Sequence, residues 1–353
     1  MSARRPPSPS ATILLSPEPP RRPWLAGPLR QRSVRIAAVG WAAANAWVLM
    51  AADTALPFEW PAVAGRSVTG RLIDVNLALL QVFFLMGVVV ALTRRRRVSD
   101  VVDRAPERSV ARREMLLLLG YGVISLGVGL LLARLFGWHP FGLHLAGTLY
   151  GTHEHVLPTE ALAWASFNLL VYAVLPLAFF RRRYSARALN LTSTDRRGDT
   201  VLIIVVLAIE SLFQLLVLRP ELFDLNGRQL LLGATITFVL YLAGAVLPAM
   251  VFVYAILVPR YLRVTGSTAS TVILGGVTYT LLHIWDAWTV FTSPGNAALS
   301  LVFLAFTYFG PGMIKTLLTV RTGNAWVHVW AYHAFAPHTL LETSHMVRVF
   351  QIR

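Results

Sequence analysis

Cysteine is absent from the chain's 353 residues, which excludes disulfides, thiolate metal ligands and a cysteine nucleophile. Charge is scarce as well, at 14% of residues, and acidic side chains are outnumbered 17 to 32 by basic ones. No repeat at a fixed period is visible, so a solenoid or propeller is not expected. The segment His153-Glu-His-Val-Leu157 lacks the second histidine that an H-E-x-x-H zinc motif needs on the same helix face.

What fills the chain instead is apolar: 56% of residues are hydrophobic and the mean hydropathy is +0.59. Apolar runs fall at about 36 to 52, 73 to 93, 114 to 136, 160 to 180, 200 to 218, 230 to 258, 268 to 292, 298 to 320 and 324 to 341. Most come close to the roughly 20 residues that cross a bilayer as a helix. The pattern predicts an all-α fold, a polytopic transmembrane helical bundle of eight or nine spans in the cell membrane, with the lipid bilayer as its first partner.

The net charge of +15 does not imply nucleic acid, which requires basic residues gathered on one surface. Here arginines flank the apolar runs: Arg30, Arg32 and Arg35, Arg94 to Arg97, Arg112 and Arg113, Arg181 to Arg183, Arg196 and Arg197, and Arg260 and Arg263. With alternating spans, the positive-inside rule puts all of these and the N-terminus in the cytoplasm. Residues 1 to 35, rich in Pro, Ser and Arg, predict a disordered basic cytoplasmic tail. A cleaved signal peptide is not expected, because the first apolar run starts only at Ile36. Residues 36 to 229 are read as the N-terminal transmembrane helices and 342 to 353 as a C-terminal tail. Gly40 with Ala44, Gly122, Gly127, Gly129, and Gly244 with Ala245 are expected where helices approach closely, and Pro176, Pro248 and Pro311 predict kinks.

Ionisable groups inside apolar runs are costly and mark candidate sites. Glu210 falls near the middle of the fifth run, and His283 and Asp286 lie one helical turn apart in the seventh. In the last run, His328 and His333 are five residues apart, about 140° around an α-helix, so His333 is expected to face the bundle centre and His328 to point away. His338 and His345 are placed at the outer interface. The outer loop carrying His139, His144, His153, Glu154 and His155 is expected to be polar or re-entrant rather than a metal site.

Tyr279 four residues before His283, the turn Thr322-Gly-Asn-Ala-Trp326 and the following His333 resemble motifs of the CAAX prenyl protease and bacteriocin-processing (Abi) family of intramembrane proteases. The resemblance covers roughly 230 to 341, which it makes a core of four transmembrane helices. It implies a bundle in which paired glutamates, two histidines and an asparagine converge, one glutamate activating water against a peptide bond and the histidines binding an oxyanion or a metal. His283 takes the place of the F-x-x-x-H histidine with Tyr279 for Phe, and His333 that of the H-x-x-x-N histidine with Pro337 for Asn. The E-E-x-x-x-R motif would fall on Ala249 to Tyr254, where both glutamates and the arginine are missing.

The resemblance therefore implies His283 and His333 as catalytic residues and ligands of one divalent metal such as zinc. A base from outside the motif is needed, Glu210 first and Asp286 second, against a membrane-embedded or lipidated peptide. Two other functions fit the same residues: a catalytically silent relative that binds a membrane partner, and a transporter using Glu210 and the histidines as a proton relay.

Overall fold

The computed structural model describes residues 30–52, 56–58, 67–96, 99–147, 155–218 and 221–353. Most of the expected tail, Arg97, His153 and Glu154 lie outside the described residues. Every regular element among those described is helical. Seven helices are long and apolar enough to cross a membrane: α1 Arg32–Ala51, α2 Val68–Leu92, α3 Arg108–Leu135, α4 Pro158–Arg181, α5 Arg196–Leu218, α6 Gly227–Thr265 and, after the shorter α7 Thr268–Leu281, α8 Pro294–Thr322. The outward faces are apolar, with Val39 68%, Val123 70% and Ile204 61% exposed, the inverse of a water-soluble surface and a fit to an integral membrane protein.

Two expected spans are not continuous helices. α7 ends at Leu281 and passes into turns around His283 and Asp286. Residues 326–349 alternate short α-helical and π-helical stretches, Val329–His333 and Phe335–Leu340 being π-helical. Proline gives a physical reason: it lacks an N–H and its ring strikes the carbonyl four residues earlier, and widening the turn to i→i+5 bonding relieves both. Accordingly the π-helical stretches Leu169–Val174, Leu242–Val246 and Met250–Leu257 each end two residues before a proline, Pro176, Pro248 and Pro259, and Phe335–Leu340 contains Pro337. Pro311 alone of the expected kink sites lies within unbroken α-helix, α8.

The centre of the bundle is α6 against α7 and α8. Tyr254, Ala255, Ile256 and Leu257 have no exposed surface. The tightest crossing joins α7 to α8 through glycines: a β-carbon on Gly312 would lie 2.8 Å from both Gly276 Cα and Tyr279 Cβ, and one on Gly275 would lie 2.9 Å from Thr316 Cβ. In lipid, such contact replaces the hydrophobic drive that packs helices in water. Of the glycines expected at contacts, Gly122 meets the Phe252 ring and Gly244 the Trp164 ring, whereas Gly40 and Gly127 face open space.

Polar contacts gather the arginine-flanked helix ends at one end of the bundle. Arg96 pairs with Asp199 at 2.6 Å, and Asn324 of the Thr-Gly-Asn turn donates to the same carboxylate at 2.9 Å. Arg104 donates to the carbonyl of Gly323 and to Asn190, and Arg321 to Thr93. Arg260 is not a solvated flanking charge but is 1% exposed. Its guanidinium bonds Glu114 at 2.8 Å and lies over the rings of Phe180 and Tyr184. Burial, and then the Glu114 carboxylate it bonds, hold the Tyr184 hydroxyl above its ordinary pKa.

Candidate functional site

α7 delivers Tyr279 from its last turn, and the turns after it bring His283 and Asp286 to one side: the Asp286 amide donates to the His283 carbonyl at 2.9 Å. His283 Nδ1 then lies 3.2 Å from Asp286 Oδ1, and both side chains are at most 2% exposed. α8 supplies Tyr308, whose ring stacks on His283 at 3.7 Å and whose hydroxyl donates to Asp286 Oδ2. The carboxylate thus fixes the His283 ring, and His283 Nε2 is buried with no hydrogen-bond partner.

The loop expected to be merely polar or re-entrant supplies the next member. Its described part folds into the bundle because the Gly142 carbonyl accepts from Trp164 Nε1 at 2.8 Å and Asn168 Nδ2 at 2.9 Å, while Gly142 itself packs on the Trp285 backbone. His144 is carried inward, with Nδ1 3.0 Å from the Tyr308 hydroxyl and 3.6 Å from Asp286 Oδ2. His139 goes instead to Glu160 at 2.8 Å, and His155 is exposed. His144, His283 and Asp286 form a set able to hold a metal ion, with donor atoms all within 4.8 Å of one another. Tyr279 touches both members of the expected pair, its hydroxyl 3.1 Å from His333 Nε2 and its ring 4.7 Å from that of His283.

The expectation that His328 points away from His333 fails for a local reason. An α-helical turn of 3.6 residues separates positions five apart, whereas an i→i+5 turn holds more residues and brings them towards one face. The amide of Ala334 donates to the carbonyl of Val329, and that of Thr339 to Ala334. Consequently the rings of His328 and His333 are 5.8 Å apart, and those of His333 and His338 5.0 Å. His338 is not at an interface: it is 2% exposed, stacks on Tyr241 and stands 5.2 Å from His144. His345 is also buried. His328 packs against Tyr254 at 4.2 Å.

Glu210 is held by other partners than the histidines. It accepts from Gln81 and Gln214 at 2.7 Å each, and its electrostatic partner is Lys315. Lys315 is the residue that reading the sequence missed, although the signal was plain: it is the only lysine in the chain and it interrupts an apolar run. It is 1% exposed, with Nζ 3.7 Å from the centre of the Tyr279 ring.

Some of these groups close the inner end of a cavity of ≈ 800 Å³ between α2, α5 and α8, which His283, Asp286 and Glu210 do not line. Its inner wall carries His144, Tyr279, Tyr308, Lys315, His333 and His338; its outer rim carries Leu77, Leu80, Phe84, Leu212 and Leu216. The rim side chains are 53% to 67% exposed, so the cavity opens sideways, towards where lipid would lie. No family model, no curated protein and no solved structure matches the chain.

Proposed function

We propose that this chain is a membrane-embedded peptide hydrolase of the CAAX prenyl protease and bacteriocin-processing kind, acting on a membrane-embedded or lipidated peptide. The observation that carries this reading is the sideways-opening cavity: it has an apolar rim, and His144 of the Asp286–His283–His144 cluster lines its inner wall beside Tyr279 and Tyr308. In the accompanying topology, α7 with its turns and residues 326–349 complete nine crossing segments, and the arginine-rich end faces the cytoplasm across the cell membrane.

His283, oriented by Asp286, takes over the water-activating work of the missing motif glutamates. Asp286 orients His283 through Nδ1, leaving Nε2 to remove a proton from a water as the water oxygen attacks the peptide carbonyl. Tyr279, pinned by His333, offers its hydroxyl to the oxyanion that develops. His283 then returns the proton to the departing amine. The donor set fits one divalent ion such as zinc, with two imidazoles and a carboxylate leaving a coordination position open. Such an ion, held by His144, His283 and Asp286 in place of the base arrangement just described, would itself act as the Lewis acid that acidifies the water.

The test is cleavage of a lipidated peptide by the purified protein in liposomes, with metal content measured in parallel. Asp286→Asn is expected to lower the rate by about 10²- to 10⁴-fold. A wild type that cleaves nothing and binds no metal would replace this reading with that of a silent scaffold.

A further inference from the structure

Among the described residues, Lys315 has no hydrogen-bonded or ion-paired acceptor for its ammonium. Its ammonium carries three donors and no acceptor, and it lines the cavity while 99% of its surface is covered, being 1% exposed. Its cation faces two aromatic rings, Tyr279 at 3.7 Å and Tyr332 at 5.8 Å, and feels Glu210, whose oxygens are already bonded to Gln81 and Gln214. Beside it on the cavity wall, His333 Nδ1 and both ring nitrogens of His338 are buried without hydrogen-bond partners. Unpaired polar atoms of this kind are rare in native interiors, and each calls for a partner.

We propose that the cavity binds a long-chain carboxylate, with its head on Lys315, His333 and His338 and its chain running outward between α2 and α5 to the lipid. The head chemistry follows from the donors. Three side chains able to donate on one wall suit one anion with several acceptor oxygens. The tail chemistry follows from the wall, where Leu77, Leu80, Phe84, Leu212 and Leu216 offer only apolar contact. A volume of ≈ 800 Å³ falls within the range of small-molecule sites. The inference rests on the cavity being the ligand site, as in the function proposed above, but not on hydrolysis taking place there.

The experiment is fluorescence titration of the protein, in nanodiscs of phosphatidylcholine, with the polyene fatty acid cis-parinaric acid, and displacement by oleic acid and by oleyl alcohol. Saturable binding above that of empty discs is expected, with oleic acid displacing the probe at about tenfold lower concentration than the alcohol. Lys315→Met should weaken the acid about tenfold and leave the alcohol unchanged, while Lys315→Arg should retain most of the acid's advantage. Equal displacement by acid and alcohol in the wild type overturns the proposal whether or not the variants fold. So does binding no greater than that of empty discs. If discs containing phosphatidylglycerol abolish probe binding, the head site belongs to a bilayer lipid, and the free carboxylate is the wrong ligand. Because the readout is binding, loss of the hydrolase reading leaves it intact: a wild type that binds acid but cleaves nothing refutes only the chemistry.

Discussion

Replacing Gly312 by alanine adds one methyl group where α8 meets α7, and the geometry states what that methyl meets. It would sit 2.8 Å from Gly276 Cα and from Tyr279 Cβ, against about 3.5–4.0 Å for comfortable carbon contact. Neither neighbour is the movable end of a side chain, so the helices must part by about 1 Å. Overpacking of this kind costs roughly 1–3 kcal/mol, and the displaced atoms include the base of Tyr279. An offset of that size at a reacting centre is worth about 10²-fold in rate. Thermal unfolding in detergent should therefore fall for Gly312→Ala, and peptide cleavage should fall further than stability explains. Gly40→Ala and Gly127→Ala, whose new methyl groups meet nothing within 4 Å, should match the wild type in both measurements. A Gly312→Ala protein as stable and active as Gly127→Ala would refute the argument that this crossing positions the site.

Other outcomes follow from single contacts. Glu210→Gln keeps the shape bonded by Gln81 and Gln214, so it should lower cleavage much less than Asp286→Asn; equal losses would return the base role to Glu210. Arg260→Met leaves the Glu114 carboxylate buried without its ion pair and should cost about 3–5 kcal/mol, read as a lowered unfolding midpoint. Combining it with Glu114→Gln should recover part of that loss. Reporter fusions at Arg183 and Arg263 should both read as cytoplasmic, and a split result would end the alternating topology.

Residue types and spacing alone determined that this chain lives in a membrane, because runs of apolar residues near bilayer length have few other uses and arginines at their ends mark one side. The sequence also singled out His283, His333 and Asp286, since an ionisable group in an apolar run stands out whatever the fold. What it could not decide was who meets whom. The angle between His328 and His333 was computed for an α-helix, and the i→i+5 turns next to Pro337 changed it. His144 reached Asp286 only because Trp164 and Asn168 tie its loop down through Gly142, contacts between residues distant in sequence. Depth in its apolar run favours Glu210, yet a carboxylate's role is set by its neighbours, and those come from α2 and α8 as well as from its own helix. Periodicity is a property of one segment, whereas a site is a property of several segments packed together, and that packing depends on glycines whose effect appears only when helices touch.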